Sequence, residues 1–122
     1  MTNVMYLEDD SFLAESVGRY LETVGYDVSV HQKPEDGIDS MHHDQPQVLI
    51  LDYDFGLMSP MTGADVAVIA RSILPDTPII SFSGLDRSPE YRDVNLYAED
   101  GIYHIDKGDF GGLRDLLEAL TT

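Results

Sequence analysis

The 122-residue chain contains no cysteine, and this absence excludes disulfide bonds, thiolate metal ligands and thiol nucleophiles. It also lacks any apolar run near the ~18 residues that a membrane-spanning helix requires. Its first residues do not form a basic segment followed by an apolar one, as a secretory signal would. We therefore expect a cytoplasmic protein that does not associate with a membrane.

Basic residues are scarce. The chain has 7 Lys and Arg against 23 Asp and Glu, which gives a formal net charge of −16. This charge opposes binding to the phosphate backbone of DNA or RNA, so we expect protein partners and no direct nucleic-acid contact. The length fits one ordinary domain, which predicts a single domain over residues 1–122 with no attached effector.

Apolar runs alternate with helical periodicities along the whole chain. Strands are predicted at residues 4–7, 27–30, 48–51, 78–82 and 102–105. Helices are predicted at residues 11–24, 34–41, 63–74, 88–98 and 110–120. This alternation predicts a doubly wound α/β fold, with a five-stranded parallel sheet and helices on both faces.

Polar residues stand at the C-terminal ends of four predicted strands. Glu8 and Asp9 end the first, Asp52 the third and Ser83 the fourth, while Lys107 follows the fifth. In open parallel sheets the ligand site lies beyond these strand ends, so the five residues are expected to meet. This convergence, more than any single residue, predicts a functional site.

The residue types of this site indicate phosphoryl chemistry. Three neighbouring carboxylates repel one another unless a cation relieves them, and Mg²⁺ prefers such oxygen ligands together with water and phosphate. One carboxylate can then attack phosphorus to give an aspartyl phosphate, while the ammonium of Lys107 neutralises charge on the transferring group. The hydroxyl of Ser83 can donate to a phosphoryl oxygen.

Four segments together resemble the receiver domains of two-component response regulators, and the resemblance covers essentially the whole chain. They are Tyr6-Leu7-Glu8-Asp9-Asp10, Leu49-Ile50-Leu51-Asp52, Ile80-Ser81-Phe82-Ser83-Gly84 and Ile105-Asp106-Lys107. The resemblance implies a flavodoxin-like sheet of the receiver type. It also implies a signalling phosphoacceptor that promotes its own phosphorylation and dephosphorylation, rather than an enzyme.

The resemblance assigns roles to individual residues. Asp52 would accept the phosphoryl group from a histidine kinase or a phosphotransfer protein. Asp9 and Asp52 would bind Mg²⁺ directly, Glu8 would bind it through a water, and the backbone carbonyl of Asp54 would be a further ligand. Ser83 would be the switch hydroxyl.

The family's switch also uses an aromatic residue on the fifth strand, three residues before the lysine. This position holds His104, whereas Tyr103 lies one step away and on the opposite strand face. By the resemblance, residues 91–104 would form the output surface for a downstream protein target, and a homodimer is compatible with the family.

Three features depart from the family pattern. The loop 53–62 is a few residues longer than usual. Gly108 stands where the family has a proline reached through a cis peptide, and that geometry is costly before any other residue. Leu85, two residues after Ser83, would hinder an attacking water and so lengthen the phosphorylated lifetime.

Three functions are compatible with residues of these types: a phosphorylated signalling receiver, a receiver-like interaction module that is not phosphorylated, and a small Mg²⁺-dependent phosphohydrolase. The intact site favours the first. The longer loop and Gly108 keep the interaction module as the alternative, whereas the phosphohydrolase lacks a separate phosphate-binding loop.

Simpler structural roles are expected for several other polar or sulfur-containing residues. Asp10 is predicted to cap the first helix. The neighbouring His42 and His43 lack a matching ligand cluster and are expected to be exposed. Met58 and Met61 are expected to pack within their loop.

Overall fold

The computed structural model describes residues 2–52, 61–83 and 102–122, apart from the side chains of Ala64 and Ser83. Five strands are found, which we number by chain order: β1 Asn3–Leu7, β2 Asp27–His31, β3 Val48–Leu51, β4 Ile79–Ser83 and β5 Ile102–Asp106. Four helices lie in the described part: α1 Ser11–Thr23, α2 Pro34–His43, α3 Gly63–Ile73 and α4 Phe110–Thr121.

The strands form one parallel sheet in the order β2-β1-β3-β4-β5. The order reverses direction between β1 and β3, so the predicted doubly wound parallel sheet is confirmed. The predicted strands and the four described helices agree with the observed elements to within a few residues. The helix predicted at residues 88–98 lies outside the described residues.

Within the described residues, two helices pack against each face of the sheet. One apolar cluster joins β1, β3 and β4 to α2 and α3, with Leu7, Met41 and Ala70 among its fully buried members. The other joins the opposite side of the same strands to α1 and α4, with Tyr6 and Leu117 buried in it. Because β1 and β3 are covered on both faces, they read as continuous apolar runs in the sequence.

Local signals in the sequence set the ends of α1. The side chain of Asp10 accepts hydrogen bonds from the backbone N–H groups of Phe12 and Leu13 at 2.9 and 3.2 Å, which confirms the predicted cap. After the helix, Gly25 has a φ of 105°, a conformation that glycine adopts at little cost.

Other helix boundaries have similar causes. Pro34 occupies the first turn of α2, where its missing N–H would have had no partner. Thr62 and Asp65 form a reciprocal capping box at the start of α3. None of the helices in these ranges is long and apolar enough to cross a membrane.

Candidate functional site

Backbone pairing extends past the ends of β1 and β3 and places two acids side by side. The N–H of Glu8 donates to the carbonyl of His31 at 3.0 Å, and the N–H of Asp52 donates to the carbonyl of Leu7 at 2.9 Å. Glu8 and Asp52 are therefore neighbours at the C-terminal edge of the sheet, and both are fully buried.

Glu8, Asp9 and Asp52 form what we call the acidic cluster. One carboxylate oxygen of each residue lies within 4.8 Å of those of the other two. Asp9 is less buried than its partners, which leaves the cluster accessible from its side. The sequence prediction that these three carboxylates meet is thus confirmed.

Lys107 approaches the acidic cluster from the segment that follows β5. Its Nζ lies 2.8 Å from Oε1 of Glu8 and 3.2 Å from Oδ2 of Asp52. Burial lowers the pKa of Lys107, but its hydrogen bond to Glu8 and the charge of Asp52 outweigh burial and raise that pKa above its usual value. The lysine is therefore a cation shared by two buried acids.

Glu8 accepts hydrogen bonds on both oxygens. Besides Lys107, the hydroxyl of Tyr6 donates to Oε1 at 3.1 Å, and the N–H of Asp10 donates to Oε2 at 3.2 Å. Burial raises the pKa of Glu8 to about 8, and the neighbouring Asp52 acts in the same direction while Lys107 opposes both. Burial also raises the pKa of Tyr6, so its hydroxyl remains a donor.

The acidic cluster fits a hard divalent cation. The cluster offers carboxylate oxygens, which are the ligands that Mg²⁺ prefers. In proteins, Mg²⁺ is usually bound by one or two carboxylates. A single ammonium against three carboxylates leaves the group with excess negative charge, and Asp52 adds to the burial that raises the pKa of Glu8. A bound cation would relieve this excess charge.

Other predicted site residues lie around this edge. Ser83 is the last residue of β4 and pairs with Asp106 of β5. His104 lies opposite Ser81, and its ring nitrogens lie 3.4 Å from Oγ of Ser81 and 3.1 Å from Oδ1 of Asp106. His104 is exposed, and it lies on the strand face opposite to that of Tyr103, whose neighbour across the strands is Ile80.

The departures from the family pattern have different outcomes. The Lys107–Gly108 peptide is trans, and Gly108 has a φ of 130°.

Met61 packs against the apolar cluster under α2 and α3, and His42 and His43 are exposed as expected. Other predicted features lie outside the described residues; they are residues 53–60 of the longer loop, including Asp54 and Met58, together with Gly84, Leu85 and most of the output surface.

Tyr6 is part of the site but is not among the residues predicted from the sequence, where it reads only as one of the apolar run before Glu8. A signal was available. Tyr6 and Glu8 are two residues apart on one strand and therefore share a face, and a buried tyrosine needs a partner for its hydroxyl.

Comparison with known proteins agrees with this geometry. Residues 4–107 match the family model of the response regulator receiver domain. The regulatory protein LuxO of Vibrio vulnificus (strain YJ016) is 34% identical over 74 residues, which are 61% of this chain and 16% of that protein. The response regulator MprA of Mycolicibacterium vanbaalenii is 29% identical over 87 residues, which are 71% of this chain and 36% of that protein. The chain thus spans only a small part of the length of these relatives.

Solved structures share the fold at low sequence identity. The receiver domain of a Francisella response regulator has a TM-score of 0.82 and 20% identity, covering 98% of this chain and 96% of that one. The response regulator TrrA of Thermotoga maritima, solved in complex with Mg²⁺ and BeF, has a TM-score of 0.80 and 22% identity, covering 98% and 99%. On the family match, this chain belongs to the response regulator receiver domains of two-component systems.

Proposed function

We propose that this chain is a phosphoacceptor whose Asp52 receives a phosphoryl group in a Mg²⁺-dependent reaction. The observation that carries the proposal is the acidic cluster, with its oxygens within 4.8 Å of one another and Lys107 at 2.8 and 3.2 Å from two of the acids. This arrangement supports phosphorylation over the alternative of a receiver-like module that does not react.

The proposed donor is the phosphohistidine of a histidine kinase or of a phosphotransfer protein. A carboxylate oxygen of Asp52 attacks phosphorus, so that an O–P bond forms as the P–N bond to the donor imidazole breaks, and the leaving imidazole takes a proton from solvent. When bound, Mg²⁺ would supply positive charge to the phosphoryl oxygens. Hydrolysis of the acyl phosphate by water would later restore Asp52.

Each neighbour of Asp52 has a proposed task. Asp9 and Asp52 would hold the metal directly and Glu8 through a water, with the backbone carbonyl of Asp54 as a further ligand. Lys107 already contacts Asp52 at 3.2 Å, so its ammonium needs only a small movement to pair with the incoming phosphoryl group.

The signal would leave the site along β4 and β5. We propose Ser83 as the hydroxyl that turns toward the phosphoryl group and His104 as the switch residue behind it, facing Ser81 across the two strands. The downstream target would be a protein, since a net charge of −16 disfavours nucleic acid. We extend the receiver assignment to all of residues 1–122, in the cytoplasm, and a homodimer is compatible with it.

The test is phosphorylation of intact protein by a small phosphodonor such as acetyl phosphate. With Mg²⁺, the wild-type protein should gain one phosphoryl group by mass, and hydroxylamine should release it. Asp52→Asn should gain none, whereas Asp115→Asn, which changes an exposed acid on α4, should behave as wild type. The proposal fails if the wild-type mass does not change, or if Asp52→Asn is phosphorylated equally.

A further inference from the structure

Tyr6 is a buried tyrosine in β1, an interior strand of the sheet. Its side chain is fully enclosed in the apolar cluster formed with α1 and α4. A phenylalanine would fill nearly the same space without carrying a polar atom into the core. Burying the hydroxyl at this position therefore costs free energy of desolvation, and a hydrogen bond is needed to offset that cost.

The partner of that hydroxyl is the acidic cluster. Tyr6 donates to Oε1 of Glu8 at 3.1 Å, along the face that both residues share on the strand. The same oxygen receives Nζ of Lys107 at 2.8 Å, and Oε2 receives the N–H of Asp10 at 3.2 Å. Three donors from three places in the fold thus hold one carboxylate.

These donors differ in how firmly they are held. Lys107 is a long side chain shared with Asp52, which it also contacts at 3.2 Å. Tyr6 is fixed by the packing of its ring, so its hydroxyl keeps its place when Lys107 turns toward another anion. A site works best when supporting hydrogen bonds lock its ligands before the ligand arrives.

We infer that Tyr6 is a positioning residue, whose hydroxyl fixes the Glu8 carboxylate in the acidic cluster and so prepares the cluster to bind a divalent cation. The inference rests on the Mg²⁺ binding of the proposed function, and it adds a residue that does not touch the metal. The effect of Tyr6 on Mg²⁺ binding requires no phosphoryl transfer, so it can be measured on the unphosphorylated protein.

Titration calorimetry with Mg²⁺ tests the inference at fixed pH. Tyr6→Phe keeps the ring and removes the hydroxyl, and it should raise the Mg²⁺ dissociation constant by about three- to tenfold, the net value of one ordinary hydrogen bond. Tyr20→Phe is the matched control, because it removes a phenol oxygen from the same apolar cluster while the three donors to Glu8 remain. Its dissociation constant should equal that of the wild type.

A double-mutant cycle in metal-free buffer separates positioning from packing. In the wild type, Tyr6→Phe should lower the midpoint of urea unfolding, because Glu8 loses a donor. In a Glu8→Ala background, Tyr6→Phe should leave the midpoint of urea unfolding unchanged or raise it, since the hydroxyl no longer has its acceptor.

The outcomes distinguish this inference from the proposed function. An unchanged Mg²⁺ affinity in Tyr6→Phe overturns the inference and leaves the phosphoacceptor proposal standing. An equal loss of stability from Tyr6→Phe with and without Glu8 also overturns it, because the hydroxyl then acts elsewhere. A wild-type protein that binds no Mg²⁺ overturns both the inference and the metal requirement of the proposed function.

Discussion

Glu8 should make the stability of the metal-free protein fall as the pH rises from about 4.5 to about 8. Burial, with Asp52 beside it, raises its pKa in the folded protein to about 8, whereas an unfolded chain leaves it at 4.5. The folded state therefore holds a proton that the unfolded state has already released. Because the folded pKa is the higher one, the stability that this proton provides is complete below pH 4.5 and is lost as the pH rises to about 8.

The size of this loss follows from the proton linkage. One pKa unit corresponds to about 1.4 kcal/mol, and between pH 6 and pH 8 the unfolded carboxyl is ionised throughout while the folded one releases its proton near the upper limit. We therefore expect the free energy of unfolding to fall by about 2 kcal/mol over this interval on account of Glu8. The side chain is fully buried, so solvent screening reduces this figure little.

Urea denaturation followed by circular dichroism, with EDTA present, measures this change at a series of pH values. The matched variant is Glu8→Gln, which keeps the shape of the side chain but cannot titrate. The rest of the chain is identical in the two proteins, so the difference between the two curves reports Glu8 together with its contacts to Lys107 and Asp52. Parallel curves for wild type and Glu8→Gln between pH 6 and pH 8 would refute the reasoning.

Two further predictions concern local structure, and both are measured as free energies of unfolding in urea. Asp10→Ala removes the acceptor for the N–H groups of Phe12 and Leu13 and should cost about 1 kcal/mol; an unchanged free energy would mean that water replaces the cap fully. Gly108→Ala should cost about 1–2 kcal/mol, because φ is 130° there although nothing lies within 4 Å of the added carbon. Gly111→Ala, equally open but in the helical conformation of α4, should instead gain about 0.5–1 kcal/mol, so equal effects at both glycines would contradict the assignment to backbone strain.

The elements of the fold could be predicted from the sequence because their signals are local. Continuous apolar runs at residues 48–51 and 79–80 belong to strands covered on both faces, and α4 shows its apolar side in Leu113 and Leu117. Caps at Asp10 and Gly25 mark the ends of α1 through hydrogen bonds and backbone angles that involve only nearby residues. Each of these signals can be read from neighbouring residues in the sequence, without reference to distant parts of the chain.

The composition of the site was also predictable, since a parallel sheet brings the C-terminal ends of its strands to one edge. This rule predicted that Glu8, Asp9, Asp52 and Lys107 would meet, and the distances confirm it. It could not predict which acid Lys107 approaches more closely, because this depends on side-chain packing. The 2.8 Å contact with Glu8 and the 3.2 Å contact with Asp52 are properties of the folded site.

By itself, then, the sequence determined the order of the strands and helices, the caps and the set of charged residues at one edge, because each follows from a local pattern or a general rule of parallel sheets. Only the tertiary structure decided the environment of those charges. It buried Glu8 and Asp52 together, raised the pKa of Glu8 to about 8 and brought the hydroxyl of Tyr6 to the same carboxylate. Burial and hydrogen bonding depend on what surrounds a residue in three dimensions, and residues far apart in the chain supply those surroundings.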